Sequence, residues 1–374
     1  GVSTLLIAFS NGFVTLLLLR AFNGAALAAI LPLSQSLVSD MFVSEERGYA
    51  FGSLGFSGSL GSAIGGMMGT RLSEMSFVFA GGMVVSGWRL GFVLAAGLSF
   101  ILARAVLVYA REPPRTGGGT DGSVTGLGAL AGELSRSRTF CLLVLQGVWG
   151  SVPWSALGFL PMYLLYVGFS DTTAALLVGV WNLAQGFGQV LGGRLGDWAE
   201  SKSPAHGRIC VAQVSVACSI PLVYILLLRL PRNPDLLIWY MLVLVTLGLT
   251  ATWCAPGVNR PILSEVVVPS ARGQVLAIMC AIENSVAAVC GAPIVGILAE
   301  RTFGYQPHFG PLSTLPLEER SKNAAALADG IAVLSVVCWG VCLCSYSSLH
   351  LFYPAEKRKQ AARPPFPPSS HLES

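Results

Sequence analysis

Apolar residues run along the chain in long blocks, each closed by a short stretch of charged or turn-forming residues. A helix needs about 20 apolar residues to cross the hydrocarbon of a bilayer. The blocks at 16–38, 49–70, 87–108, 140–167, 173–195, 209–228, 236–258, 275–299 and 324–351 reach that length. Backbone groups in lipid must bond within their own element, which leaves helices or a closed barrel, and the blocks lack the period-two alternation of barrel strands. The pattern predicts an all-α, polytopic membrane protein. The opening run, 1–13, is apolar but too short to span, so the sequence is expected to start inside a helix whose beginning lies upstream.

The polar stretches between the blocks set the organisation. From Arg115 to Arg138 the chain is rich in Gly, Ser and Thr, the composition of a flexible linker. The expected domains are a partial N-terminal bundle at 1–111, a linker at 112–138, a six-helix bundle at 139–353 and a disordered, proline-rich, basic tail at 354–374. Lys and Arg in short loops mark the cytoplasmic side. Placing 194–208 there puts Arg47, the linker, Arg260 to Arg272 and the tail on the same side by alternation. Block 49–70 carries glycines at three- and four-residue spacing, Gly58, Gly61, Gly65 and Gly66 among them, and this predicts a smooth helix face for close packing.

Composition agrees with this class and removes others. Of 374 residues, 53% are hydrophobic and 11% charged, and the net charge of +4 is spread over many loops, so nucleic acid is not an expected partner. Cys141, Cys210, Cys218, Cys254, Cys280, Cys290 and Cys338 lie in or beside apolar runs and read as small buried hydrophobes. His206 and His371 fall in loop or tail, and His308 and His350 at or beyond segment ends. No His-Glu-x-x-His sits in a span and no phosphate-cradling Gly-x-x-x-x-Gly-Lys-Ser/Thr is present. An enzyme, a metal and a cofactor are therefore not expected.

The stretch Gly192-Gly193-Arg194-Leu195-Gly196-Asp197, followed by Gly207-Arg208, joins two apolar blocks. Gly193 and Gly196 would let helices approach closely. Asp197 could pair with Arg194 or Arg208, or sit against the positive end of a neighbouring helix. The stretch resembles the loop signature of the major facilitator superfamily, with Trp198 where a basic residue is usual and an insert, 200–206, before Gly207. Arg20-Ala-Phe-Asn23-Gly24 resembles the fourth-helix pattern of that family. Gly61-Ser62-Ala63-Ile64-Gly65-Gly66 is similar to its fifth-helix Gly-Pro-x-x-Gly-Gly motif with Ser62 in the proline position, which weakens an antiporter reading. A nearer likeness, carried by 20–24, 35–40, 47–52, 147–157 and 291–305, is to a plant and algal branch distantly similar to Spinster-type transporters. The resemblance implies two six-helix bundles about a pseudo-two-fold axis, a central cavity and rocking between two openings. It also implies that the first two helices of the fold are missing here.

Ionisable groups inside spans are functional candidates because burying them in lipid is costly. Glu283, flanked by Asn284, is the foremost: it could bind a proton or a cationic substrate group, or equally be neutralised by a partner on another helix. Arg20 is a pathway candidate and could also snorkel. Trp154, Asn182, Gln185 and Asn259 are polar or aromatic residues that could line a pathway or join helices. Gly193, Arg194, Gly196, Asp197 and Arg208, with Asp40 and Arg47, form the candidate conformational switch. The expected function is secondary transport of a small organic solute or lipid-like molecule, with the proton a candidate coupling ion and the bilayer the other partner. The rival is a membrane sensor that keeps the fold without transporting.

Overall fold

The computed structural model describes residues 1–73, 75–78, 84–110, 132, 136–267, 271–308, 310 and 315–361. Among these, eight helical stretches are long and apolar enough to cross a membrane: Phe13–Met41, Gly87–Tyr109, Arg138–Val167, Asp171–Lys202, Gly207–Arg229, Pro234–Val266, Arg272–Thr302 and Leu317–Lys359. The chain is an all-α polytopic membrane protein, with one small exception. A two-stranded antiparallel hairpin, β1 (Ser76–Val78) and β2 (Val84–Ser86), links α4 to α5 with Phe77 opposite Val85. The linker expected at 112–138 falls outside the described residues except for 132 and 136–138.

The first half holds α1 (Val2–Ala8), α2 (Phe13–Ala28), α3 (Ile30–Met41), α4 (Arg47–Ser73) and α5 (Gly87–Tyr109). Helices α2 and α3 form one span broken at Ala29, because Pro32 has no N–H to give the carbonyl of Ala28. At 27 residues α4 is about 40 Å long. It is long enough to cross, but its glycines and serines leave it less apolar than the eight.

The second half comprises α6 (Arg138–Ala156), α7 (Leu160–Val167), α8 (Asp171–Lys202), α9 (Gly207–Tyr224), α10 (Leu237–Ala251), α11 (Arg260–Val266), α12 (Arg272–Ile297) and α13 (Leu317–Ala361). Ser137 caps α6 by accepting from Phe140 N at 3.1 Å, and Ser170 caps α8 by accepting from Thr173 N at 3.2 Å. Gly168 ends α7 at φ 122°, where a side chain would be strained. Helices α10 and α11 belong to one span interrupted by a π turn at Ala255–Asn259, with Pro256 inside the turn and Pro261 just after it.

The core lies in this half, where Leu143, Leu160, Tyr163, Leu177, Ile209, Leu244, Val275, Ile331 and Tyr346 pack together. None of the most apolar window of Phe13–Met41 is buried inside the protein, against 56% for Leu317–Lys359. The first half therefore presents its apolar residues outward, as helices do when lipid is the solvent. Cys141 and Cys210 lie on exposed helix faces instead of in the core, which corrects the expectation for those two. The tail differs as well: α13 continues through Pro354 to Ala361, held by ion pairs of Lys357, and only 362–374 lie outside the described residues.

The halves meet chiefly where α4 lies along α8, with α3 against α12. At Gly48 and Gly193 the two backbones touch, and a Cβ on either would strike the other helix. Gly52 and Gly55 abut Gln189 of α8 in the same way. Close packing of α4 falls to these glycines. Gly58, Gly61, Gly65 and Gly66 have nothing within 4 Å of where a Cβ would sit, which corrects the packing role expected for them.

Candidate functional site

Two groups of buried charge stand out, one at the basic end of the bundle and one deeper. At the basic end, Gly48 and Tyr49 lie in the first turn of α4, where backbone N–H groups have no helical acceptor. Asp197 on α8 supplies one: Oδ1 accepts from Gly48 N at 3.0 Å and Oδ2 from Tyr49 N at 2.8 Å. Its negative charge faces the positive end of the α4 dipole. Arg208, at the start of α9 and 2% exposed, donates to the same carboxylate at 2.9 Å. It also donates from Nε to Glu200 at 2.6 Å and from Nη2 to the Ser44 carbonyl at 3.2 Å.

The fourth partner of Arg208 comes from the broken helix. Pro261 lacks an N–H, so the carbonyl of Gly257, four residues earlier, loses its usual helical donor. Arg208 Nη1 replaces it at 2.8 Å. Gly196 permits this geometry, since a Cβ there would collide with the Gly257 carbonyl. Lys357 of α13 joins the cluster through Glu200 at 2.6 Å and Glu265 at 2.9 Å, and Ser44 donates to Glu265 at 3.1 Å. Residues from both halves are thus tied into one clamp. Arg194 takes no part in the Asp197 pair; its guanidinium lies over the Tyr49 ring at 4.7 Å. Arg47 donates to the Phe42 carbonyl at 3.2 Å and lies within electrostatic reach of Asp40 and Glu265.

The deeper group is Glu283 on α12 with Arg260 on α11. Their charged atoms are 3.6 Å apart, and the residues are 7% and 8% exposed. A charge-assisted bond is usually about 2.7–2.9 Å long, so this pair is loosely joined. Among the described residues, Arg260 Nε and Nη1 and Glu283 Oε1 have no hydrogen-bond partner. Glu283 packs on Gly147 of α6, where any side chain would displace it.

One turn along both helices from that contact, a cavity of about 400 Å³ is lined by Ser151, Trp154, Ser155, Asn284, Ala287 and Ala288. The Trp154 ring stacks on Trp181 at 6.2 Å and meets Trp339 edge-on at 6.0 Å, which fixes it as a wall. A second cavity of about 290 Å³ lies between α4 and α7–α8, with Ser62, Gly66, Asp171 and Asn182 in its lining. Gln185 donates to Asn182 at 3.2 Å. The candidates therefore divide. Trp154 and Asn284 share the first cavity beside Glu283; Asn182 lines the second, and Gln185 is tied to it only through Asn182. Asn259 is buried and accepts from Tyr346 at 2.8 Å. Arg20 joins neither cavity: it is exposed on α2 with its guanidinium over Phe92 at 5.9 Å.

A family model for the Major Facilitator Superfamily matches residues 1–292. The chain belongs to the major facilitator superfamily. Its relatives include the hexuronate transporter of Escherichia coli (strain K12), 27% identical over 204 residues, which is 50% of this chain and 45% of that protein. The hexuronate transporter of Escherichia coli O157:H7 gives the same figures. The chain spans about half the length of these curated relatives. Among solved structures, it resembles a bacterial homolog to the human lysosomal transporter Spinster. In its inward-facing and occupied conformation the TM-score is 0.67 at 19% identity, over 95% of this chain and 81% of that one. The unoccupied form gives 0.65 at 18% identity, over 96% and 81%. At such identity the likeness establishes the fold.

Several partners in this major facilitator protein escaped the sequence pattern. Arg260 reads as part of a basic loop because Pro256, Gly257 and Pro261 surround it, yet the span continues to Val266. The signal available was length: Pro234–Val266 stays apolar enough to hold one internal arginine. Glu200, Glu265 and Lys357 are charged residues at segment ends, and only the assembled helices bring them to Arg208. His206 and His350 also meet, with Nδ1 atoms 2.8 Å apart, though they are 144 positions apart in the chain.

Proposed function

We propose that the protein is a secondary active transporter that carries a small organic solute by alternating access, with Glu283 as its proton-coupling residue. The observation that carries this reading is the loosely paired Glu283 one turn from a cavity walled by Trp154, Ser151, Ser155 and Asn284, within a member of a transporter superfamily. Hydroxyl and amide groups beside a fixed indole suit a polar, hydroxylated solute better than an acyl chain. The relatives named as hexuronate transporters support a solute of that size and polarity. In this reading the basic end is cytoplasmic, and the Asp197–Arg208 clamp holds the halves together there in one of the two states. Breaking it lets the cytoplasmic side open while solute stays in the cavity.

The test is solute counterflow in proteoliposomes containing the purified protein, with sugars, sugar acids and lysolipids as probes. Saturable exchange that Trp154→Ala weakens is the expected result. Absence of exchange with every probe, from protein that is folded by size exclusion, contradicts the transporter reading.

A further inference from the structure

Arg260 is the unusual member of the deeper pair. A guanidinium has five N–H donors. Nε and Nη1 are nonetheless buried without partners among the described residues, and Nη2 approaches Glu283 only to 3.6 Å. Buried polar groups in folded proteins are almost always satisfied, and an exception calls for an explanation such as an absent ligand. Glu283 Oε1 is bare in the same place. Unused donors of Arg260 and an unused acceptor of Glu283 thus belong to one ion pair, and its Glu283 member lies one helical turn from the Trp154 cavity.

Resting on the reading above as a secondary transporter, we propose that Arg260 recognises a carboxylate on the transported solute. The solute is a small organic anion, and it displaces Glu283 as that carboxyl takes up a proton. Charge decides the linkage. With the cavity empty, Arg260 and ionised Glu283 cancel. An incoming carboxylate beside an ionised Glu283 would leave one uncompensated negative charge in a low-dielectric site, which is expensive. Proton uptake by Glu283 from the open aqueous side removes it, so the loaded site holds the Arg260 cation, the solute anion and a neutral carboxylic acid. Protonation without solute would instead strand the Arg260 charge. Both the empty and the fully loaded site are neutral, and the half-loaded ones are not, so anion and proton travel together.

Among the described residues, the surroundings add no competing charge. The titratable groups facing Glu283 are Arg260 on α11, Cys280 on its own helix and Cys342 on α13. Helix α6 contributes Gly147 and, through Cys342 at 3.7 Å, Gln146. From the other half, Gln35 on α3 meets Cys280 at 3.7 Å, which places the pair at the seam between halves, where a rocking motion would be felt.

The experiment measures proton uptake by the purified protein in lightly buffered detergent, read with a pH-sensitive dye. Glucuronate, lactate or pyruvate is added at matched pH, with glucose and choline as uncharged and cationic controls. At least one carboxylate should bind with saturation and draw up about one proton per molecule bound. Glu283→Gln should keep carboxylate binding and lose the proton signal. Arg260→Gln should weaken binding at least about tenfold. Because that variant leaves Glu283 alone, Arg260→Gln/Glu283→Gln, a neutral pair of similar shape, is measured beside it and should also lose carboxylate binding. The proposal is overturned if no carboxylate binds, if the double variant binds as well as wild type, or if Glu283→Gln still takes up a proton. Binding of glucose or choline alone overturns the anion while leaving the transporter reading intact; failure of that reading shows separately, as absence of counterflow with any solute.

Discussion

Arg208 and Arg260 are both buried in the second half of the chain, and their guanidinium groups are held in opposite ways. Arg208 is bonded through all three nitrogens, to Asp197, Glu200, the Gly257 carbonyl and the Ser44 carbonyl. Among the described residues, Arg260 has one loose ionic partner and two bare nitrogens. The first is a finished joint that fastens two halves of the molecule, and its charge is spent on architecture. The second has N–H donors to which the described residues offer no acceptor. A fully satisfied buried cation argues for structure, and an unsatisfied one paired with a carboxyl next to a cavity argues for a ligand.

Stability should separate the two arginines most clearly. Arg208→Ala strands Asp197 and Glu200, and breaking a buried pair in this way costs about 3–5 kcal/mol. Arg260→Ala should cost less than half as much, since Glu283 alone can take a proton, and thermal unfolding in detergent compares them directly. Equal losses would break the distinction. A next, smaller effect is expected where the halves touch. Gly193→Val pushes a side chain into the Gly48 backbone and should cost about 1–3 kcal/mol. Gly61→Ala, in open space, should be neutral or stabilise by about 0.5–1 kcal/mol through helix propensity. Measured by the same unfolding assay, a destabilising Gly61→Ala would return that glycine to the packing face. A loss of about 1 kcal/mol is expected for Asp197→Asn, which keeps one acceptor for the start of α4. Its signature is kinetic: counterflow should slow while solute affinity stays within a factor of a few. Lost affinity with a normal exchange rate would move Asp197 from the clamp to the binding site.

The parts of this arrangement legible in the sequence are those that depend on local pattern. Apolar block length located the spans, and the glycine-flanked Asp197 marked a helix junction with Arg208 close behind. Legibility failed where partners come from distant segments. Lys357 sits in a basic stretch that reads as tail, and becomes helical because Glu200 and Glu265 wait for it across the bundle. Arg260 was hidden by prolines that normally announce a loop. Here the broken carbonyl of Gly257 is satisfied by Arg208, so the helix survives the interruption. The glycine stripe on α4 showed that a smooth face exists, but periodicity does not say which of its turns meets α8.

The central claim, that the charge on Glu283 does work and is not merely balanced by Arg260, is tested most directly in proteoliposomes. Wild type and Glu283→Gln are compared for uptake of a transported solute under an imposed pH gradient and for counterflow without one. The account predicts that Glu283→Gln, fixed in the neutral form, loses gradient-driven accumulation while solute-for-solute exchange survives. Accumulation by Glu283→Gln that still follows the pH gradient would contradict it and reduce the pair to a structural contact.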